Sequence, residues 1–165
     1  MSRLDMLRLS PLLILLLLSI SLSMGLFNKT TVNPVSTVNN GKLIPYFELP
    51  SLGGEPAFSP RLFGRRVVVV NVFASWCAAC VEEHKQLLSL AKIVNIYGVA
   101  WKDKPEDAVA YINKHGNPFQ QIGVDESGIT TIPMSLTGVP ETFVLNKKGE
   151  IALHYKATIT PNIMN

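Results

Sequence analysis

Residues 67–73, VVVVNVF, constrain the fold more than any other part of this 165-residue chain. The run is almost wholly apolar and mostly β-branched, which is typical of a strand buried on both faces in the middle of a sheet. Directly after it comes a stripe at helical spacing, formed by Cys77, Cys80, Val81, His84, Leu87, Leu88 and Ala91. A buried strand followed by an amphipathic helix predicts an α/β domain with a helix-covered sheet.

Further elements follow from shorter patterns. Residues 96–101, 121–125, 142–145 and 150–155 read as strands, and 146–149 as the turn between the last two. Lys104-Pro105 with two acids after it starts a helix that ends near His115, capped by Gly116. Alternation around Phe47, followed by Gly53-Gly54, predicts an N-terminal hairpin at one edge of the domain.

The N-terminus carries a long uncharged segment at residues 9–27. Nineteen helical residues reach about 28 Å, close to the hydrocarbon thickness of a bilayer. Arg3 and Arg8, with Asp5 between them, favour a cytoplasmic location for residues 1–8. We expect a retained membrane-anchor helix, with a cleaved signal peptide as the alternative. Polar residues 28–41 then form a flexible tether to a domain at 42–165.

Charge excludes one class of function. Without the residues before the apolar segment, the chain has 13 basic and 11 acidic residues and no basic run. Nucleic-acid binding therefore has no electrostatic support.

The only two cysteines, Cys77 and Cys80, allow three roles. A purely structural disulfide is disfavoured, because a two-residue loop removes little entropy from the unfolded chain. A metal site would have His84 as a third ligand but no evident fourth. A redox pair is favoured, because a thiol at a helix N-terminus has a lowered pKa and its thiolate attacks disulfides. Trp76, just before the pair, would shelter the site.

The sequence WCAAC after VNVFAS resembles the thioredoxin superfamily. CVEEH, GVAWKD, GNPF and GVPETFVL are similar to the cytochrome c maturation thiol:disulfide interchange proteins of the CcmG/DsbE type. The resemblance implies a thioredoxin fold, with a central mixed sheet and flanking helices, facing the bacterial periplasm from the inner membrane. It also implies a redox-active Cys77–Cys80 disulfide, no other cofactor and no metal.

The resemblance also assigns roles. Cys77 would be the attacking thiol and Cys80 the resolving one. Pro140 would be a cis-proline, and the backbone of Val139 before it would pair with a substrate peptide. Glu83 and Glu141 would lie beside the site, where Glu83 tunes thiol pKa values or passes protons; otherwise both are surface charges.

The last residue of the second core strand, Trp101, and the two that follow it, Lys102 and Asp103, would line the substrate groove. Two features depart from the family. Ala78-Ala79 stands where relatives often have a proline. The resemblance also implies a terminal helix, for which Thr160-Pro161 could be the start, and we expect that helix to be truncated here.

The expected function is a membrane-anchored disulfide reductase, monomeric, acting on apocytochrome c or maturation thiol proteins and re-reduced by a membrane electron donor. Two alternatives remain. One is a general exported reductase or an oxidant. The other is a copper- or haem-handling protein that uses Cys77, Cys80 and His84.

Overall fold

The structure is a computed structural model that describes residues 14–21, 35–36 and 40–161. The chain divides into two compact units, Met1–Asn33 and Pro34–Asn165. In the first unit, residues 14–21 are helical. No helix among the described residues has both the length and the apolar character needed to cross a bilayer. The rest of the predicted anchor, most of the tether and residues 162–165 lie outside the described residues.

The second unit contains one eight-stranded sheet, with neighbours in the order β1-β8-β7-β4-β5-β6-β2-β3. The strands are β1 Val35–Ser36, β2 Leu49–Ser51, β3 Gly54–Phe58, β4 Val68–Phe73, β5 Asn95–Trp101, β6 Ile122–Asp125, β7 Glu141–Leu145 and β8 Ile151–Tyr155. The described residues of this unit also form two α-helices, α1 Ala78–Leu90 and α2 Pro105–His115, and two short 3-10 helices, Pro60–Phe63 and Ile132–Met134.

The sheet is mixed, as predicted. Strands β4, β5 and β6 run parallel, whereas β7 pairs antiparallel with both β4 and β8. Strands β2 and β3 form a hairpin that joins the sheet through β6. The parallel strands are connected by helices α1 and α2, as parallel pairing requires.

Strand β4 is buried on both faces, which confirms the prediction for VVVVNVF. Val69 and Phe73 pack in the core cluster that contains Leu87 of α1 and Tyr111 of α2. The alternate residues Val68, Val70 and Val72 pack in a second cluster, which includes Phe58 and Phe143. Because successive side chains of a strand point to opposite faces, β4 contributes to the hydrophobic cores on both faces of the sheet.

The loops that follow β4, β5 and β6 and the loop that precedes β7 lie at the same end of the sheet. Phe73 lies opposite Ala100 of β5, Trp101 lies opposite Asp125 of β6, and Val72 lies opposite Glu141 of β7. We call this end the carboxyl edge and define it as residues 74–77, 101–107, 125–131 and 135–140. The CxxC segment follows β4 here, at the start of α1.

The buried face of α1 differs from the predicted stripe at two positions, Val81 and Glu83. Val81 is exposed, whereas Glu83 is fully buried with Cys80, His84 and Leu87. Hydropathy alone placed the valine inside and the acid outside. The acid is inside because its carboxylate has hydrogen-bond partners there, which offset the cost of burial.

Candidate active site

The two cysteines form a disulfide at the first turn of α1, with their Cα atoms 5.3 Å apart. Cys77 is the N-cap residue, and its Sγ accepts a 3.0 Å hydrogen bond from the backbone N–H of Cys80. Both side chains are largely buried. After reduction, this N–H and the positive end of the helix dipole would stabilise a thiolate at Cys77. The geometry therefore favours Cys77 as the nucleophile.

The loop between β4 and the cysteines is held by Asp103, which follows β5. One carboxylate oxygen of Asp103 accepts a 2.6 Å hydrogen bond from the backbone N–H of Ser75, and the other accepts one from the Ser75 hydroxyl at 2.7 Å. Asp103 is buried. Its carboxylate therefore fixes the active-site loop, and its expected place along the substrate groove stays a prediction.

Trp76 lies on the surface beside the disulfide, with 59% of its area exposed. Its indole N–H donates a 3.0 Å hydrogen bond to the carbonyl of Lys102. The bond fixes the ring between the loops that follow β4 and β5. Trp76 is thus an exposed apolar surface next to Cys77, available to a substrate peptide.

Glu83 is fully buried and follows Cys80 by three residues on α1. Its Oε1 accepts a 2.8 Å hydrogen bond from Nδ2 of Asn71, and its Oε2 accepts one of 2.8 Å from the backbone N–H of Ile159. Side chains three apart on a helix are about 5–6 Å apart at Cβ. Glu83 is therefore one helical turn from Cys80, and its burial shows that the surface alternative is wrong.

Burial raises the pKa of Glu83 to about 7, against the opposing effect of the hydrogen bonds from Ile159 and Asn71. A carboxyl group with such a pKa is populated in both protonation states at neutral pH. This is the property that general acid–base catalysis requires.

Tyr111 of α2 also contacts α1, at Cys80 and His84. Its hydroxyl lies 3.1 Å from the Cys80 carbonyl and 3.0 Å from Nδ1 of His84. Nε2 of His84 lies 3.0 Å from the carbonyl of Gly116. Burial lowers the pKa of His84 and raises the pKa of Tyr111 to about 12. Both ring nitrogens of His84 are therefore occupied by protein partners, which makes it a core residue rather than a ready ligand.

No cluster of three or more candidate metal-binding side chains occurs within the described residues. A site built on Cys77, Cys80 and His84 would have to break the hydrogen bonds of the histidine.

The peptide bond between Val139 and Pro140 is cis, as the resemblance implies. The loop that contains it is held by Glu141, whose Oε1 accepts hydrogen bonds from the backbone N–H groups of Thr137 and Gly138 at 2.7 and 3.0 Å. The Thr137 hydroxyl donates to the same oxygen. Glu141 is 2% exposed, so the surface alternative is wrong for this residue as well.

The second oxygen of Glu141 lies 2.6 Å from Nε2 of His154 on β8, and both side chains are buried. Burial by itself would raise the pKa of Glu141. The hydrogen bonds from His154 and Thr137 and the charge of Lys156 outweigh it and keep the pKa below its usual value. Glu141 is therefore a charged anchor for the loop and not a proton donor at neutral pH.

Sequence reasoning missed four residues that complete the site: Asn71, Tyr111, His154 and Ile159. Only the first had a usable signal. A side-chain amide in a strand that is buried on both faces needs a hydrogen-bond partner, and a carboxylate on the adjacent helix can be that partner. The other three are brought in by tertiary packing, which no local pattern encodes.

The sequence and fold are similar to those of known proteins. The redoxin family profile matches residues 39–162. The chain is 34% identical over 150 residues to the thiol:disulfide interchange protein DsbE of Pseudomonas fluorescens, covering 90% of this chain and 83% of that protein. It is also 34% identical over 134 residues to the thiol:disulfide interchange protein HelX of Rhodobacter capsulatus, covering 80% and 76%.

Among solved structures, a DsbF homologue from Corynebacterium diphtheriae superposes with a TM-score of 0.68 at 20% identity, covering 84% of this chain and 93% of that one. This likeness establishes the thioredoxin-type fold.

Proposed function

This chain belongs to the redoxin family and is a thiol:disulfide oxidoreductase, and on that premise we propose that it is a membrane-anchored periplasmic reductase serving cytochrome c maturation. Its substrates would be disulfides of apocytochrome c or of the thiol proteins that mature it. The observation that carries the proposal is the position of Cys77 at the N-cap of α1, with its sulfur accepting the Cys80 N–H.

The chemistry is a two-step thiol–disulfide exchange. The thiolate of Cys77 attacks one sulfur of the substrate disulfide, the substrate S–S bond breaks, and the leaving thiolate takes up a proton. Cys80 then loses its proton and attacks Cys77 in the mixed disulfide, which releases the second substrate thiol. Two electrons pass to the substrate, and the enzyme is left with the Cys77–Cys80 disulfide.

Glu83 supports the second step. The buried thiol of Cys80 must lose a proton before it attacks, and bulk water has little access to it. A carboxylate with a pKa near 7 on the same helix face can receive that proton. Glu83 then returns the proton to solvent or to the next substrate.

The loop before β7 supports substrate binding. A surface groove is lined on one side by residues 137–141 and on the other by Lys156, Ala157 and Thr158. We assign the backbone of Val139 to strand-like pairing with the substrate peptide, with Pro140 next to it and Trp76 as an apolar contact. Glu141 holds this loop in place through Thr137 and Gly138.

The location and partners rest on the sequence. The uncharged segment at 9–27 has the length of a membrane span, and the two arginines before it favour an N-inside orientation. The resemblance to the CcmG/DsbE type supports the periplasm, the apocytochrome pathway and re-reduction by a membrane electron donor. In this scheme the enzyme acts as a monomer, and its disulfide is its only redox group.

Trapping in cells tests the proposal. A Cys80→Ala variant should stall as a mixed disulfide through Cys77, and we expect apocytochrome c or a maturation protein among the trapped partners. Cys77→Ala, which leaves only the resolving thiol, is the matched control and should trap little. Partners drawn at random from exported proteins would favour a general reductase instead. Complete absence of mixed disulfides would contradict the reductase mechanism.

A further inference from the structure

The end of the sheet at which β4 begins lies opposite the carboxyl edge. Val68 lies opposite Asn95 of β5 and Leu145 of β7, so the segments before β4 and β5 and the turn between β7 and β8 meet at this end. Leu43 forms a bridge with Glu150 of the same turn. We call this end the basic pole and define it as residues 42–44, 64–67, 91–95 and 146–150.

Unpaired cations dominate the basic pole. Its charged residues are six basic and one acidic: Lys42, Arg65, Arg66, Lys92, Lys147, Lys148 and Glu150. All six basic side chains are exposed, and none forms an ion pair within the part of the chain that the structure describes. Glu150 is half-buried and accepts a hydrogen bond from Asn146. The pole therefore carries a formal charge of +5.

Exposed apolar side chains lie among these cations. Leu43, Val67 and Ile93 are exposed by 67%, 46% and 82%. Leu43 lines one surface depression with Arg65 and both lysines of the β7–β8 turn, and the other two line a second depression with Arg66 and Lys92. Apolar side chains flanked by Lys and Arg are typical of surfaces that lie in the headgroup region of a membrane.

The carboxyl edge has no such excess of positive charge. Its exposed charged residues at 101–107 and 125–131 are two lysines and three acids: Lys102, Lys104, Glu106, Asp107 and Glu126. Asp103 and Asp125 are buried, and Lys156 adds a further cation beside Ser135 and Thr137. An anionic surface would therefore attract the basic pole more strongly than the carboxyl edge. The two ends of the sheet therefore differ in charge, and such a difference is needed if electrostatics is to orient the domain at a membrane.

We propose that the basic pole docks on the anionic phospholipid headgroups of the membrane that holds the chain, which turns the disulfide toward the aqueous side. The proposal rests on the proposed anchor at 9–27. Seven residues, 28–34, separate that segment from β1, and seven extended residues span at most about 25 Å. The tether therefore keeps the domain near the membrane surface. Val35 pairs with Tyr155 at the carboxyl-edge end of the sheet, so the tether enters at the end opposite the basic pole, and the docking rests on the charge and the exposed apolar side chains of the pole.

Lysine footprinting of the full chain in lipid nanodiscs tests the docking. One set of discs contains only phosphatidylcholine, and the other contains about one third phosphatidylglycerol, enough to give a negative surface potential. We expect Lys92, Lys147 and Lys148 to be acetylated about fivefold more slowly in the anionic discs, a factor typical of one basic residue at such a surface. Lys104 at the carboxyl edge should react equally in both, and high salt should abolish the difference.

Charge reversal supplies the specificity test. The double variant Arg65→Glu, Arg66→Glu leaves the reporter lysines in place and should abolish their protection. The matched control, Lys85→Glu with Lys104→Glu, makes the same change of charge on exposed residues outside the pole and should preserve it. Equal acetylation in both discs, protection that survives the arginine reversal, or protection of Lys104 instead would each overturn the docking.

Two further outcomes separate this proposal from others. Protection that appears only after membrane proteins are added, regardless of lipid charge, would assign the pole to a protein partner and overturn lipid docking. A chain that does not co-purify with discs would contradict both the anchor and the docking. Disulfide reductase activity, measured on the same samples, tests the enzymatic proposal independently of either result.

Discussion

Asn71 of β4 donates a 2.8 Å hydrogen bond from Nδ2 to Oε1 of Glu83 on α1. The same amide nitrogen lies 3.0 Å from the hydroxyl of Thr142 on β7. The amide therefore joins two adjacent strands, β4 and β7, to the helix that carries the disulfide. It positions an acid with a pKa of about 7 one helical turn from Cys80.

Glu83 should make the stability of the oxidised protein depend on pH. The pKa of Glu83 is raised from 4.5 in the unfolded chain to about 7 in the folded one, so the folded state holds the proton more tightly between these values. The contribution of Glu83 to the free energy of unfolding should therefore fall as the pH rises from about 4.5 to 7, by at most about 3 kcal/mol. Urea unfolding of wild type and Glu83→Gln from pH 4 to 8 measures this.

The informative quantity is the difference in unfolding free energy between the two proteins, because other groups titrate in both. As the pH increases, Glu83→Gln should become more stable relative to the wild type. Glu82→Gln, an exposed neighbour with the same change of charge, should show no such trend. Parallel curves for all three proteins would contradict the elevated pKa.

Glu83 should also tune the thiols. When ionised, its negative charge disfavours a nearby thiolate and raises that thiol's pKa. Glu83→Gln is therefore expected to lower at least one cysteine pKa and to change the pH dependence of disulfide reduction, with the fold intact. Thiolate absorbance followed through a pH titration of the reduced proteins checks it, with Glu82→Gln as control. Superimposable curves would remove the acid from the mechanism and leave the cysteine assignment in place.

Asn71 should act through Glu83. Asn71→Leu removes the donor to Oε1, and a donor favours the ionised carboxylate, so the pKa of Glu83 should rise further. The pH at which reduction rates change should move upward. Stability at pH 8 should fall by about 1–3 kcal/mol, the cost of leaving a buried acceptor without its partner. A stability loss without a displaced pH profile would mean that Asn71 only supports packing.

Glu141 should be a structural anchor of the loop at Pro140. Glu141→Ala removes the acceptor for Thr137 and Gly138 and the partner of His154, and should cost about 3 kcal/mol or more. Glu141→Gln should cost less, because its carbonyl oxygen can still accept from the loop. Urea unfolding at pH 7 compares them, and equal costs would contradict an anchoring role for the oxygen.

The lowered pKa of Glu141 also has a consequence in acid. Its folded pKa lies below the unfolded value of 4.5, so it contributes stability above pH 4.5 that is lost as the pH falls through the folded pKa. Wild type should therefore lose more stability below pH 4.5 than Glu141→Gln does. Acid unfolding followed by circular dichroism measures the difference, and identical acid curves would contradict the lowered pKa.

Most of the fold follows from the sequence because its central elements have strong local patterns. The apolar β-branched run predicted β4, and the Lys104-Pro105 start and Gly116 predicted α2. The cis bond at Pro140 has no local signature, since X-Pro bonds are cis only about 5–6% of the time, and came from family resemblance.

The site was less predictable because its polar partners are far apart in sequence. Glu83 receives a hydrogen bond from Ile159, 76 residues later, and Glu141 meets His154 only through the register of β7 and β8. Hydropathy placed Val81 in the helix core instead of Glu83, because a periodicity argument has no means to see that a carboxylate will be satisfied by groups on other elements.

The assignment of Cys77 as the attacking thiol is tested most directly by alkylation of the fully reduced protein. Limiting iodoacetamide at pH 7, with mass spectrometric mapping, compares the two cysteines in one sample. Cys77 should react first, by about tenfold or more, because its thiolate is stabilised at the N-cap and because Cys80 is the more deeply buried of the two. Modification of Cys80 before Cys77 would reverse the roles of nucleophile and resolving thiol.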